Sequence, residues 1–392
     1  MSAPVVERTE SRIEQVQREV RQQQDRFPRN PVTRWVLRAF FAIVFAFQPI
    51  LGAATLSSVN TPNQQLLDRL ATISWDRADQ DWIGQIFPPL STLLAAFASP
   101  LGRIGLSLVG VVFVGFFLQK LLEIMVQRKF PLTVGVVLLV ALAANPLFAY
   151  TATENLPALM GLTFFALGIS DVARFVSWGS TQAGFRAGLM LMLAVLSDPS
   201  ALLYVGASAG AAPFLRLRRE GQKGVRGANL LVITYPTVAA LAAIIGLNLI
   251  FLRQLLADAE SAVFVGADER IAQLGDVYTS VNGWLVLASV GSAWLVSILV
   301  RRPAAIFIST LVFAAINIAF VIGLLPQNSA GNTFILMTVM AAALIPRGRS
   351  TATNSALLVV ALLQIVIAWA SAFAKPITLE WIGAMNQALG LG

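Results

Sequence analysis

Long apolar stretches separated by short polar segments make up most of the chain from residue 35 onward. Many of them are close to the roughly 20 residues that a helix needs to cross a hydrocarbon core of about 30 Å. The stretches are continuous rather than alternating, so they predict an all-α polytopic membrane protein and not a transmembrane barrel. The eleven predicted spans are 35–56, 101–119, 131–150, 156–173, 183–197, 200–215, 228–252, 279–300, 303–325, 331–346 and 354–374.

Two further apolar pieces are too short to span. Residues 89–100 precede the second span and, at about 12 residues, predict a re-entrant or interfacial segment. The C-terminal piece 377–392 is amphipathic, and Trp381 and Ile382 predict that it lies on the outer membrane interface.

Residues 1–30 form a charged arm ahead of the membrane domain, which we assign to residues 31–392. The arm carries a narrow apolar stripe at helical spacing, formed by Ile13, Val16, Val20 and Phe27. Pro28 and Pro31 end this pattern before the first span. The arm is therefore either a solubilising cytoplasmic segment or a helix that docks a protein partner.

The amino-acid composition excludes several classes of protein and of functional site. The chain is 57% hydrophobic and 12% charged, whereas a soluble domain carries about 25% charged residues, so an ordinary soluble enzyme is excluded. Cysteine and histidine are both absent, which excludes disulfides, Cys/His metal sites and histidine acid–base catalysis. Proton transfer must then use Asp, Glu, Lys or Tyr. A bound metal would need oxygen ligands, which favours Mg, Ca or Mn.

The distribution of charge predicts the orientation. With the N-terminus in the cytoplasm and the C-terminus outside, 22 of the 28 Lys and Arg residues fall on the cytoplasmic side, and 12 of the 20 acids fall outside. The net charge of +8 is therefore a topology signal that can contact anionic lipid, and it does not predict nucleic-acid binding.

The outer segment 57–100 contains the most candidate chemistry. It places four acids, Asp68, Asp76, Asp79 and Asp81, beside Trp75 and Trp82. Next come Pro88-Pro89-Leu90 and the short apolar piece. Gly102 and Arg103 then open the second span.

This layout resembles the GT-C superfamily of integral membrane glycosyltransferases. The matching motifs are Pro88-Pro89-Leu90, Gly102-Arg103, Asn145-Pro146-Leu147-Phe148 with Glu154, and Ser197-Asp198-Pro199. The likeness covers roughly residues 35–230 and rests on short motifs. The chain departs from the family soon after the first span, because residues 60–65 contain no acid and the base must come from Asp68 or a later aspartate.

The resemblance implies transfer of a sugar from a polyprenyl-phosphate donor to an acceptor on the outer, periplasmic side of a bacterial inner membrane, for cell-envelope assembly. It implies that a carboxylate accepts the acceptor's proton and that a cation stabilises the lipid phosphate. The candidates for the base, or for ligands of a divalent cation, are Asp76, Asp79 and Asp81. The candidates for binding the lipid phosphate are Arg103 and Arg253. The candidates for contacts of the substrate loop are Trp75, Trp82, Pro88, Pro89, Glu154 and Asp198.

Structural interpretations remain for several of these residues. Trp75 and Trp82 could anchor at the interface. Asp198 could be a helix cap, and Asp171 could pair with Arg174. Two other functions stay open: a non-catalytic GT-C-like scaffold subunit of a membrane complex, and a transporter of a lipid-linked substrate. The absence of a clear central charge in any predicted span counts against ion-coupled transport.

Overall fold

The structure of the chain is a computed structural model. It describes residues 27–52, 60–75, 80, 82–127, 131–178, 180–211, 225–253, 264–299, 303–325, 330–344, 350–374, 376–388 and 390. Within these ranges the secondary structure is helical, without a strand. Most of the predicted N-terminal arm, residues 1–26, lies outside them.

The described helices are α1 (Pro31–Gly52), α2 (Pro62–Thr72), α3 (Trp82–Gln85), α4 (Pro89–Ala98), α5 (Gly102–Gln127), α6 (Leu132–Ala143), α7 (Pro146–Glu154), α8 (Leu156–Trp178), α9 (Thr181–Ser197), α10 (Ala201–Ala211), α11 (Val225–Phe251), α12 (Ala267–Thr279), α13 (Val281–Leu299), α14 (Pro303–Val321), α15 (Ala330–Leu344), α16 (Thr351–Phe373) and α17 (Pro376–Ala388).

Four apolar segments among the described residues are long enough to cross a membrane: Pro89–Gln127, Leu156–Phe175, Gly227–Phe251 and Asn354–Phe373. The number rises to six if each of two bent helix pairs is one span. These pairs are Leu132–Ala143 with Pro146–Glu154, bent by 58°, and Ala267–Thr279 with Gly283–Ile298, bent by 79°. The chain is therefore a helical membrane protein by the length and composition of its helices.

Three predicted segments differ from the structure, and two of them adjoin. The short piece 89–100 is continuous with the following span, because α4 runs through a 3-10 turn, Ser99–Leu101, into α5. The span that was expected to end at residue 119 continues to Gln127. Its last turns carry charged residues, and these are buried by partners on other helices.

The predicted span 131–150 is broken at Asn145. The side chain of Asn145 accepts hydrogen bonds from the backbone N–H groups of Leu147 and Phe148, and Pro146 is the first residue of α7. This is an N-cap followed by a proline that has no N–H to satisfy, a combination that starts a helix. Asn145 is therefore the cap of α7.

The core lies between α5, α7, α8 and α9, and its largest side chains include Phe117, Phe148, Phe165 and Leu159. Close helix contacts depend on small residues of α5. A Cβ atom at Gly110 would collide with the carbonyl oxygen of Ala152, and one at Gly115 would lie 2.5 Å from the carbonyl oxygen of Arg38. Glycines at such crossings let helix backbones approach closely inside a membrane.

Helices α5 and α8 run in the same direction. Arg103 at the start of α5 contacts Glu154 just before α8, and Glu123 near the end of α5 contacts Arg174 near the end of α8. With a rise of about 1.5 Å per residue, Arg103 and Glu123 are about 30 Å apart along α5. That separation is close to the thickness of a hydrocarbon core.

Candidate functional site

A cleft of about 500 Å³ lies beside the outer segment predicted to carry function. Its lining is mostly apolar and comes from Trp75, Gln80, Trp82, Ile83, Leu93 and Phe251. The indole rings of Trp75 and Trp82 stack with centroids 6.5 Å apart and an angle of 28° between their planes. The cleft therefore joins the segment after α2, the short helices α3 and α4, and the last residue of α11.

The two predicted tryptophans are thus brought together at one cavity. Asp76, Asp79 and Asp81, the predicted base or metal ligands, lie outside the described residues, although they flank the cleft residues Trp75, Gln80 and Trp82 in sequence. Among the described residues, no group of three or more acidic side chains could hold a metal ion. The predicted divalent-cation site therefore stays a prediction.

Arg253, the second candidate for phosphate binding, follows the cleft residue Phe251 by two positions. It is exposed and its backbone φ is 55°. A positive φ is uncommon for a residue other than glycine. Arg253 lies in a bend two residues after the end of α11.

Pro88 and Pro89 begin α4. Pro88 is in the extended conformation at the N-cap position, and Pro89 is the first helical residue, where proline is well tolerated. Arg69 of α2 holds this start, because its guanidinium donates to the carbonyl oxygen of Phe87 at 3.3 Å and to the Thr92 hydroxyl at 2.6 Å. The proline pair thus has a structural role in placing Leu93 of the cleft.

Arg103 and Glu154 form an ion pair. The Nε and Nη2 atoms of Arg103 each lie 2.9 Å from Oε2 of Glu154. The Glu154 side chain is 1% exposed and that of Arg103 is 13% exposed. Both guanidinium contacts are therefore directed at a buried carboxylate. Neither Arg103 nor Glu154 lines the cleft described above.

Uncharged side chains surround this ion pair. The amide of Asn63 on α2 donates to the carbonyl oxygen of Thr153 at 2.8 Å and accepts from the N–H of Leu156 at 2.8 Å. The Ser107 hydroxyl donates to the same Thr153 oxygen at 2.5 Å. We call Asn63, Arg103, Ser107, Thr153 and Glu154 the Arg103 cluster. It fixes α2 against the junction of α7 and α8, and so positions the chain that leads to Trp75.

Asp198 lies in the turn between α9 and α10. Its carboxylate accepts from the N–H of Ser200 at 3.0 Å and from the Ser200 hydroxyl at 2.7 Å. Burial raises the pKa of Asp198 to about 6, although the hydrogen bonds from Ser200 act to lower it. These side-chain contacts organise the turn that follows α9, and Asp198 is also the C-cap residue of that helix.

One group of charged residues was missed by the sequence analysis. Near the end of α5, Lys120 and Glu123 are buried, and Glu123 contacts Arg174 of α8. Arg174 also pairs with Asp171 at 3.0 Å, which confirms the predicted structural pair, and Asp171 pairs with Arg186 of α9 at 3.0 Å. We call Lys120, Glu123, Asp171, Arg174 and Arg186 the Glu123 cluster. The local spacing Lys120–Glu123, three residues apart on a helix, was a signal that could have found it.

Comparison with known proteins gives no family. No protein-family model, no curated protein and no solved structure matches the chain.

Proposed function

We propose that the chain is a membrane glycosyltransferase of GT-C type that transfers a sugar from a polyprenyl-phosphate donor on the outer side of a bacterial inner membrane. The observation that supports this best is the aromatic cleft beside the outer segment. The stacked indoles of Trp75 and Trp82 and the neighbouring Leu93 and Phe251 offer apolar surface to a sugar ring or to an isoprenoid chain. Three aspartates flank these residues in sequence.

The proposed reaction is a displacement at the anomeric carbon. The acceptor hydroxyl oxygen forms a bond to that carbon, the bond from the carbon to the lipid phosphate oxygen breaks, and polyprenyl phosphate leaves with the electron pair. The acceptor's proton passes to a carboxylate, for which Asp76, Asp79 and Asp81 are the candidates. A cation stabilises the departing phosphate.

Arg253 is the better candidate for the cation that stabilises the departing phosphate. It is exposed and follows the cleft residue Phe251 closely, whereas Arg103 directs two nitrogens at Glu154. A lipid phosphate at Arg103 would have to bind beside the Glu154 carboxylate, which already contacts two of the arginine's nitrogens. In this proposal Arg103 positions α5 and α7, and Arg253 contacts the substrate.

The proposal includes the finer topology. Eleven spans place the N-terminus in the cytoplasm and the C-terminus outside, so that the cleft and the Arg103 cluster face the periplasm. The distribution of Lys and Arg supports this orientation. The distance of about 30 Å along α5 between the two buried charged groups agrees with their lying at opposite membrane faces.

A second function, a non-catalytic GT-C-like scaffold of a membrane complex, is favoured by two observations. The ion pair of Arg103 with Glu154 occupies an arginine that the resemblance assigns to phosphate. The segment after the first span also lacks the acid found in the family. In this case the N-terminal arm would bind a partner protein.

The test is sugar transfer by the purified full chain from a panel of polyprenyl-phosphate sugars. Asp76→Asn, Asp79→Asn and Asp81→Asn are compared with Asp268→Asn, which changes an exposed acid on α12. We expect one of these three aspartate variants to lose about 100-fold or more in kcat, as for removal of a general base, and Asp268→Asn to keep the wild-type rate. The same transfer assay with an added metal chelator tests whether the reaction needs a divalent cation.

A matched pair of tryptophan variants tests the cleft itself. Trp82→Ala should raise KM for the donor or acceptor, whereas Trp284→Ala, which removes an exposed indole of α13, should leave KM unchanged. The glycosyltransferase proposal would be contradicted if no donor supported transfer. If another membrane protein also co-purified stably with the chain, the scaffold function would be supported.

A further inference from the structure

The Glu123 cluster is a continuous chain of alternating charges. Lys120 Nζ lies 2.7 Å from Oε1 of Glu123, and Arg174 lies 2.8 Å from the same oxygen. Arg174 then contacts Asp171, and Asp171 contacts Arg186. The five side chains come from α5, α8 and α9, so the cluster joins three helices at the end opposite to the Arg103 cluster.

Charge is not balanced within this cluster. Its three cations face two carboxylates, which leaves a formal charge of +1. The four buried side chains balance one another, and the excess charge is that of Arg186, whose side chain is 42% exposed. A bound anion beside Arg186 would balance this excess charge.

Donors for such an anion are present. The Nε atom of Arg174 is buried and has no hydrogen-bond acceptor among the described residues. The side chain of Arg186 is 42% exposed, so the cluster opens to its surroundings on the α9 side. Guanidinium groups present planar forks of N–H donors that match the geometry of phosphate.

Neighbouring basic residues lie at the same end of the bundle. Arg38 of α1 donates to Gln119 Oε1 at 2.9 Å, and its guanidinium lies over the rings of Trp35 and Phe116. Gln119 in turn contacts Glu123 at 3.4 Å. In the predicted topology this end faces the cytoplasmic leaflet, which carries anionic lipid.

We propose that the Glu123 cluster binds a phosphate group through Arg186 and Arg174, carried either by an anionic phospholipid headgroup or by a soluble phosphate. The phosphate shares the two arginines with Asp171 and brings the cluster to charge balance. This site is separate from the cleft, and it stands whether or not the chain transfers sugars.

The test measures lipid retention by the full chain in detergent, using native mass spectrometry after exposure to phosphatidylglycerol, phosphatidylcholine or inorganic phosphate. We expect retention of phosphatidylglycerol over phosphatidylcholine. Arg186→Gln should weaken that retention about tenfold, the effect of one lost charge-assisted contact, and Arg186→Lys should weaken it less. Arg34→Gln, which removes a charge of α1 outside the cluster, is the matched control.

The comparison of the two lipids with inorganic phosphate distinguishes the two sources of the phosphate group. Retention of phosphatidylglycerol that Arg186→Gln reduces assigns the site to a lipid headgroup. Binding of inorganic phosphate without lipid preference, again reduced by Arg186→Gln, assigns it to a soluble anion. Equal retention of the two lipids with no phosphate binding, or equal effects of Arg186→Gln and Arg34→Gln, would overturn the proposal.

Discussion

At the start of α5 a single ion pair is surrounded by uncharged hydrogen-bonding groups, whereas near its end five charged side chains contact one another in a row. Both groups are buried, and both join α5 to neighbouring helices. The Arg103 cluster is neutral and fixes α2 beside the cleft. The Glu123 cluster has an excess positive charge and links α5, α8 and α9. The two ends of one helix therefore combine the same residue types for different purposes.

The difference shows why charges inside a membrane protein need their partners. A neutral ion pair needs no further charge to balance it, and its removal as a pair costs little. A longer chain of charges depends on each member, because each of its carboxylates contacts two cations. The predictions below use this dependence.

The largest effect is expected for Glu123→Gln. The carboxylate of Glu123 contacts both Lys120 and Arg174, so its loss takes the only carboxylate that Lys120 contacts within the cluster and leaves Arg174 with Asp171 alone. We expect the free energy of unfolding to fall by about 4 kcal/mol, measured by denaturant titration in mixed micelles. Glu380→Gln, which neutralises an exposed acid of α17, should change it by less than about 0.5 kcal/mol. Equal effects of the two variants would show that the cluster is not buried as described.

A somewhat smaller loss is expected at the Arg103 cluster. Glu154→Met leaves Arg103 without its carboxylate and should cost about 3 kcal/mol, since Arg103 is 13% exposed and can partly reach its surroundings. Changing both Arg103 and Glu154 to Met should recover much of that cost. The same denaturant titration, arranged as a double-mutant cycle, measures the coupling. Additive losses would contradict a direct ion pair.

The smallest of the three stability effects is expected for Asn63→Ala. This change removes a buried donor to the Thr153 carbonyl and a buried acceptor for the Leu156 N–H, which should cost about 2 kcal/mol. Because Asn63 holds α2, proteolysis between residues 73 and 81 should also become faster. Gln65→Ala, at an exposed position of α2, is the control and should leave both stability and proteolysis unchanged.

Much of the fold follows from local sequence. Apolar length predicted the helices, and Asp171 with Arg174, three residues apart, was expected as a pair. The start of α7 could also have been predicted, because Asn145 precedes Pro146. The break between α6 and α7 was missed because it lies within a long apolar run. Lys120 and Glu123 were missed, since the apolar run ends at residue 119 and the partner Arg174 is 51 residues further along the chain than Glu123.

The candidate site was predictable only in part. Trp75 and Trp82 were both assigned to the substrate loop, and they meet at the cleft. Phe251 and Leu93, which complete its wall, could not be expected, because no local pattern reports which helix ends meet. The ion pair of Arg103 with Glu154, likewise, joins residues 51 positions apart and depends on the packing of α5 against α7.

The central claim is that the cleft and the Glu123 cluster face opposite sides of the membrane, with the cleft outside. The absence of native cysteine makes single-cysteine labelling direct. Gln80→Cys in the cleft and Gln182→Cys at the exposed start of α9 are each treated with a membrane-impermeant maleimide in intact cells and after permeabilisation. The account predicts that Gln80→Cys is labelled in intact cells and that Gln182→Cys is labelled only after permeabilisation. Labelling of both from the same side, or of Gln182→Cys alone in intact cells, would contradict it.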